Sequence, residues 1–255
     1  MSTQLTFEHP LNERVRTFLR LEHLFKKVAH FMPQDDAWAS RAAVEALLDI
    51  TAVTTRADVK SELLKELDRN ATTLSRIRRQ PEVDLETLNK VLEDLQGAAA
   101  ALQGLNGQIG HTLRDDEFLK SVAQRNSIPG GTCSFDLPQY HHWLTQDAAS
   151  RQDQFALWME GLRPASAAID LVLSLARTSA TPRKVTAPDG FFQEALDVQA
   201  PAQMVRVTLN GGQSLYPEIS GHKNRFSIRF MSPGESERPV QFREVVAFTL
   251  ICCVF

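Results

Sequence analysis

The sequence has no apolar run long enough to cross a bilayer. Its most apolar tract, Val245 to Phe255, is short and is interrupted by Thr249, Cys252 and Cys253, whereas a spanning helix needs about 20 apolar residues. Cysteine is scarce. The three present, Cys133, Cys252 and Cys253, are odd in number, and two are neighbours that could bond to each other only with strain, so reduced thiols are expected. Neighbouring cysteines on an extended chain also point to opposite faces and cannot share one tetrahedral zinc ion, so no metal is expected. The residues from Met1 to Pro10 include Glu8 and lack both the basic start and the apolar stretch of an export signal. A cytoplasmic location without a membrane partner is therefore expected.

Charge of one sign is not in excess either. Lysine and arginine number 28 against 31 aspartate and glutamate, a formal net charge of −3, which leaves local basic clusters as the only sites for an anion. Catalytic signatures are missing. There is no Gly-x-Ser-x-Gly elbow and no His-Glu-x-x-His helix. Ser127-Ile128-Pro129-Gly130-Gly131 lacks the lysine of a phosphate loop and reads as a turn. His141 and His142 stand beside Tyr140 and Trp143 without a nucleophile or an orienting partner. Neither an enzyme nor a bound cofactor is expected.

What the chain does have is periodicity. Between Pro10 and about Ala180 apolar residues recur at helical spacing. Leu11, Val15, Phe18, Phe25 and Val28 share one face of a first helix, with Pro10 suited to its first turn. A second helix opens near Asp35 or Asp36 and buries Ala39, Ala43, Leu47 and Ile50. A third, carrying Val59, Leu63, Leu67, Leu74 and Ile77, follows Thr55 as its expected cap, with Asp58 three residues on. Asp84 caps a fourth with Leu88, Leu92, Leu95, Ala99 and Leu102, and Phe118, Leu119 and Val122 define a fifth. Phe155 to Ala176 reads as a longer helix that Pro164 breaks or kinks.

After Thr181 the period changes to two. Gln203 to Leu209 alternates, with Val205, Val207 and Leu209 on one side, and Arg225 to Met231 repeats this with Phe226, Ile228 and Phe230 inward. Tyr216-Pro217 reads as a turn between them, and Val240 to about Cys253 as a final strand. Gln4 to Phe7 and Thr132 to Leu137 also look extended and are expected to join the late strands. The fold class is α+β: an antiparallel helix bundle over 10–180, packed with a smaller antiparallel β-sheet domain from 1–9, 132–138 and 181–255.

Strand geometry places Arg225 and Arg229 opposite the buried face, and Arg206 on the corresponding face of its own strand. Lys223 and Lys184 could extend this basic surface. It has two bland or functional uses: a solvated face that blocks edge pairing, or a site where several guanidinium forks converge on a carboxylate ligand. Nucleic-acid binding through the same arginines is the alternative function; overall negative charge and few aromatics on that face weigh against it. Arg56, at the start of the third helix, adds a cation from the helical region.

Several long blocks carry a resemblance. Phe7-Glu8-His9-Pro10-Leu11-Asn12-Glu13, Glu62 to Arg69, Ser127 to Gly131, Cys133 to Pro138, and Leu215 to Lys223 with Arg225-Phe226 and Ile228 to Met231 are similar, in the same order, to the ZapD family of cell division proteins. The resemblance runs nearly end to end. It implies a helical domain that dimerises, a strand domain that binds the C-terminal tail of the tubulin-like protein FtsZ, and crosslinking of FtsZ filaments at the division site by the homodimer. Arg225, His141 and Arg56 match positions that the resemblance implies for tail contact.

Overall fold

Short polar side chains open most of the helices in the computed structural model, which describes residues 4–78, 83–197, 199–211, 214–222, 224–233 and 238–254. Each such side chain accepts a hydrogen bond from a first-turn N–H that has no partner within the helix. Asn12 accepts from Val15 at 2.9 Å ahead of α1 (Glu13–Phe31). Asp36 does the same for α2 (Ala37–Arg56), Asp58 for α3 (Val59–Ile77) and Asp84 for α4 (Leu85–Gly104). The short α5 (His111–Asp115) follows Gly110, whose φ of 74° suits glycine. Asp116 caps α6 (Glu117–Asn126), Pro138 occupies the first turn of α7 (Pro138–Leu144), and Asp147 caps α8 (Ala148–Glu160). Pro164 is the second residue of α9 (Arg163–Thr178), where its missing N–H costs no helical bond.

Three expectations are corrected here. Pro10 ends a strand instead of opening α1, because the Asn12 cap sets the helix start at Glu13. Thr55 does not cap α3; its hydroxyl donates to the Thr51 carbonyl at 2.7 Å inside α2, so Arg56 ends that helix. Thr132 to Leu137 is not a strand. Backbone bonds from Cys133 N–H to Gly130 O (3.1 Å) and from Leu137 N–H to Cys133 O (3.0 Å) wind it into successive turns that lead into α7. Its apparent alternation was misleading, since Phe135 is 85% exposed.

The chain forms two compact units, Met1–Leu19 with Leu173–Phe255, and Arg20–Val172. The first holds two antiparallel sheets instead of one. β1 (Leu5–Pro10), β2 (Arg183–Ala187), β4 (Met204–Leu209) and β8 (Val246–Cys253) form a sheet in the order β1-β4-β8-β2. β3 (Phe191–Ala195), β5 (Tyr216–His222) and β6 (Arg225–Ser232) form the other in the order β3-β6-β5, with β7 (Val240–Gln241) continuing beside β6. The early strand at Leu5 thus joins the late ones, as expected. Inward residues of both sheets share one core: Val205, Val207, Phe248 and Leu250 from one, Phe226, Ile228 and Phe230 from the other. The Phe230 and Phe248 rings meet across it at 5.1 Å, a separation typical of favourable aromatic packing.

The expected strand from Val240 to Cys253 is divided because the chain changes sheets within it. Phe242 N–H still bonds Phe230 O at 2.9 Å in the second sheet, and β8 then pairs with β4 in the first. Gly190 sits at this crossing with φ of 64°, and a Cβ there would lie 2.0 Å from the Phe242 carbonyl oxygen. Only glycine fits. Pro217 is tolerated inside β5 because β5 is an edge strand, where one missing N–H breaks no ladder.

In the second unit, Phe118, Tyr140, Trp143, Phe155 and Trp158 form a ring-to-ring aromatic cluster between α6, α7 and α8. The Trp158 indole N–H donates to the Asp116 carboxylate at 3.0 Å. Within α8, buried Arg151 donates to Ser40 Oγ at 3.0 Å and to the carbonyls of Leu144, Gln146 and Asp35. A lysine ammonium cannot span that set, because it lacks the planar fork. Arg151→Lys is therefore expected to leave carbonyls unpaired and to destabilise the protein by about 1–3 kcal/mol, read by urea denaturation.

Burial pushes the Cys253 thiol up to about 12 from its ordinary 9.0. The unfolded chain then loses this proton first as pH rises, so the stabilising effect of the neutral thiol is intact below pH 9.0 and fades towards about pH 12. Comparing thermal unfolding of Cys253→Ala with the parent across that window should show a shallower alkaline decline in the variant. In the folded protein, Cys253 should resist a thiol reagent that labels it after unfolding.

Candidate partner-binding site

β6 is the central strand of the second sheet, and its alternation is locked by Phe226, Ile228 and Phe230, each 1% exposed or less. Arg225 and Arg229 must then project from the opposite, outer face, and both are exposed. Among the described residues, neither makes a salt bridge or a side-chain hydrogen bond. They stand four strand residues apart, about 13 Å.

The registers of β3 and β5 decide what surrounds them. Arg225 lies between His222 of β5 and Ala195 of β3. Ser227 lies between Ser220 and Gln193, and Arg229 between Glu218 and Phe191. Met231 follows, opposite Tyr216. A cavity of about 170 Å³ opens beside Arg225, lined also by His222, Ser220, Ser227 and Gln193. These donors suit an oxygen-rich, anionic group, and among the described residues no carboxylate lines the cavity.

The other sequence-derived candidates fall elsewhere. Lys223 lies outside the described residues. Arg206 belongs to the first sheet, and its neighbours Val205 and Val207 face the shared core, so its side chain leaves the sandwich on the side opposite Arg225 and Arg229. There it donates to Glu8 at 2.9 Å, and Arg177 grips the same carboxylate with two bonds of 2.8 Å. These side chains are about one-fifth exposed, with 22% for Arg206 and 19% for Glu8. Arg206 is thus engaged within the fold, and the three arginines do not share a surface.

Lys184 is also on the first sheet. Its register neighbour is Thr249, which pairs with Thr208, which in turn pairs with Thr6. Lys184 lines an open groove of about 650 Å³ with Thr186, Thr208, Asn210 and Thr249. Arg56, the last residue of α2, and His141, within α7, are both exposed and belong to the helical unit.

Phe191, Gln193, Glu218 and Ser220 escaped the sequence reading because β3 and β5 were not recognised as strands. The usable signal was Tyr216 to His222, whose Tyr, Glu, Ser and His alternate with Pro, Ile and Gly. Among the described residues, no cluster of three His, Cys, Asp or Glu could hold a metal ion, and no helix is long and apolar enough to cross a membrane.

A family model described as ZapD, cell division protein, matches residues 19–229. Over 254 residues, the chain is 44% identical to cell division protein ZapD of Methylococcus capsulatus, covering 100% of both. It is 41% identical to the protein of that name from Dechloromonas aromatica, covering 98% of this chain and 99% of that one. Against the Escherichia coli protein of that name the identity is also 41%, covering 99% and 100%.

The different surroundings of the arginines can be tested by stability alone. Glu8→Gln should cost about 1.5–3 kcal/mol, because it weakens charged hydrogen bonds to two guanidinium groups. Arg225→Ala, on an exposed face, should change stability by less than about 0.5 kcal/mol. Urea denaturation of the two variants provides the comparison.

Proposed function

The chain belongs to the ZapD family of cell division proteins, and from that premise we propose that it is a non-enzymatic adaptor that binds the C-terminal tail of FtsZ. In this reading the outer face of the second sheet takes the tail, and a homodimer presents two such faces. Two sites then crosslink and bundle FtsZ filaments at midcell, in the cytoplasm. The observation that carries the reading is the pair Arg225 and Arg229, exposed on one face and without a salt-bridge partner among the described residues. Uncommitted guanidinium groups are suited to a mobile peptide carrying carboxylates.

Magnitudes favour a bivalent device. An exposed ion pair contributes about 0–1 kcal/mol, so one face supplies modest affinity. Linking two faces makes the second binding event intramolecular, which raises avidity by about 10²–10⁴ without a new contact.

Arg225→Glu combined with Arg229→Glu is expected to abolish co-sedimentation with FtsZ filaments, while the melting temperature and the mass in solution stay at parental values. Undiminished co-sedimentation of that double variant would remove the site.

A further inference from the structure

The outer face of the second sheet is not uniform along its strands. At the β5–β6 turn it is cationic and polar: Arg225 beside His222, then Ser227 flanked by Ser220 and Gln193. The small cavity lies at this end. At the other end it is apolar, with Phe191 38% exposed and Met231 and Tyr216 half-buried on the neighbouring row. Between them sits Arg229, directly opposite Glu218.

Glu218 breaks the symmetry of the two arginines. Side chains directly opposite on neighbouring strands are about 4.5–5.5 Å apart at Cβ, so the Glu218 carboxylate offsets part of the Arg229 charge and weakens its pull on an incoming anion. Arg225 has no acidic register neighbour; Ala195 and His222 flank it. An acidic side chain is therefore drawn more strongly to the Arg225 end of the face than to the Arg229 end. Phe191, projecting beside Arg229, gives the far end what an apolar side chain needs, a surface that releases water on contact.

We propose that this face binds its peptide in one direction, with a carboxylate seated at Arg225 over the cavity and an apolar side chain resting on Phe191. The inference rests on the tail-binding reading and adds the ligand's polarity to it. Four strand residues separate the two subsites, about 13 Å, and the row of Met231 and Tyr216 extends the apolar end to about 20 Å. Glu218 acts as the residue that sets direction.

The test is a double-mutant cycle on the full chain, using a fluorescein-labelled synthetic peptide of the FtsZ C-terminal tail and anisotropy titration. Protein variants are Arg225→Ala and Phe191→Ser; peptide variants replace its acidic residues with amides or its apolar residues with serine. Each single change should weaken binding about fivefold, which is about 1 kcal/mol. Arg225→Ala should add no further loss with the amide peptide, nor Phe191→Ser with the serine peptide, whereas crossed pairs should lose about twenty-five-fold, the product of the single effects. A peptide of reversed sequence should bind weakly to the parent and regain affinity on Glu218→Gln.

Two failures are distinguishable. If the parent peptide binds in an Arg225-dependent way but the reversed peptide binds equally well, or the couplings are crossed, the directional inference is overturned and the tail reading stands. If the parent peptide does not bind, or binds regardless of Arg225, the tail reading falls and takes the inference with it. Arg225 and Phe191 are both exposed, and melting curves of each variant confirm that the fold is retained.

Discussion

The side-chain alternation of β6 governs the placement of every group in the candidate site. Phe226, Ile228 and Phe230 are buried against Phe248, Leu250 and the inward valines of β4. Fully burying one such side chain is worth about 1.5–3 kcal/mol. A slip of one residue would expose all three and drive Arg225 and Arg229 into the core, which makes the register costly to change. The exposed arginines thus inherit their direction from the phenylalanines between them. The neighbouring strands inherit theirs from β6, so His222, Ser220 and Phe191 are brought to the same face by pairing alone.

The same alternation gives Arg206 the opposite outcome. It too stands between inward valines, but its outer face is occupied by Glu8 and Arg177, and the guanidinium closes a three-residue ion network. Removing one member of a partly buried network costs far more than removing an exposed charge, because the others lose partners that water replaces poorly. Strand period supplies direction; the neighbours on that side decide whether a cation is held or available. Sequence spacing carries the first of these facts and is silent on the second.

This division explains what could be read in advance. Helix starts at Asp36 and Asp84 were legible because a cap is a local bond, made within three residues. β4 and β6 were legible because one face of each is buried and the other is polar. β2 and β3 are short, and their hydrophobic signal is weak: Arg183-Lys184 opens one, and Gln193-Glu194 lies inside the other. Their existence depends on pairing with β8 and β6, contacts far away in sequence. Thr132 to Leu137 failed in the reverse sense, having the alternation of a strand but no pairing strand among the described residues, and local bonds from Cys133 and Leu137 wind it into turns. The ZapD resemblance named the family correctly, yet it could not tell that Arg206 is spoken for.

The site's chemistry also bears on how firmly such a protein could hold a filament. Arg225 and Arg229 are exposed, so their ion pairs are screened over about 8 Å at physiological salt and each adds little. A deep, dry pocket would bind more tightly, but it would dissociate slowly, and affinity changes at an interface fall mostly on the off-rate. A shallow face with a small cavity and one exposed phenylalanine favours rapid release at each site. Under the adaptor reading, strength then comes from engaging two tails at once, while every individual grip stays short-lived. Under that same proposal, one site can let go and rebind while its twin stays engaged, which would let linked filaments slide and rearrange.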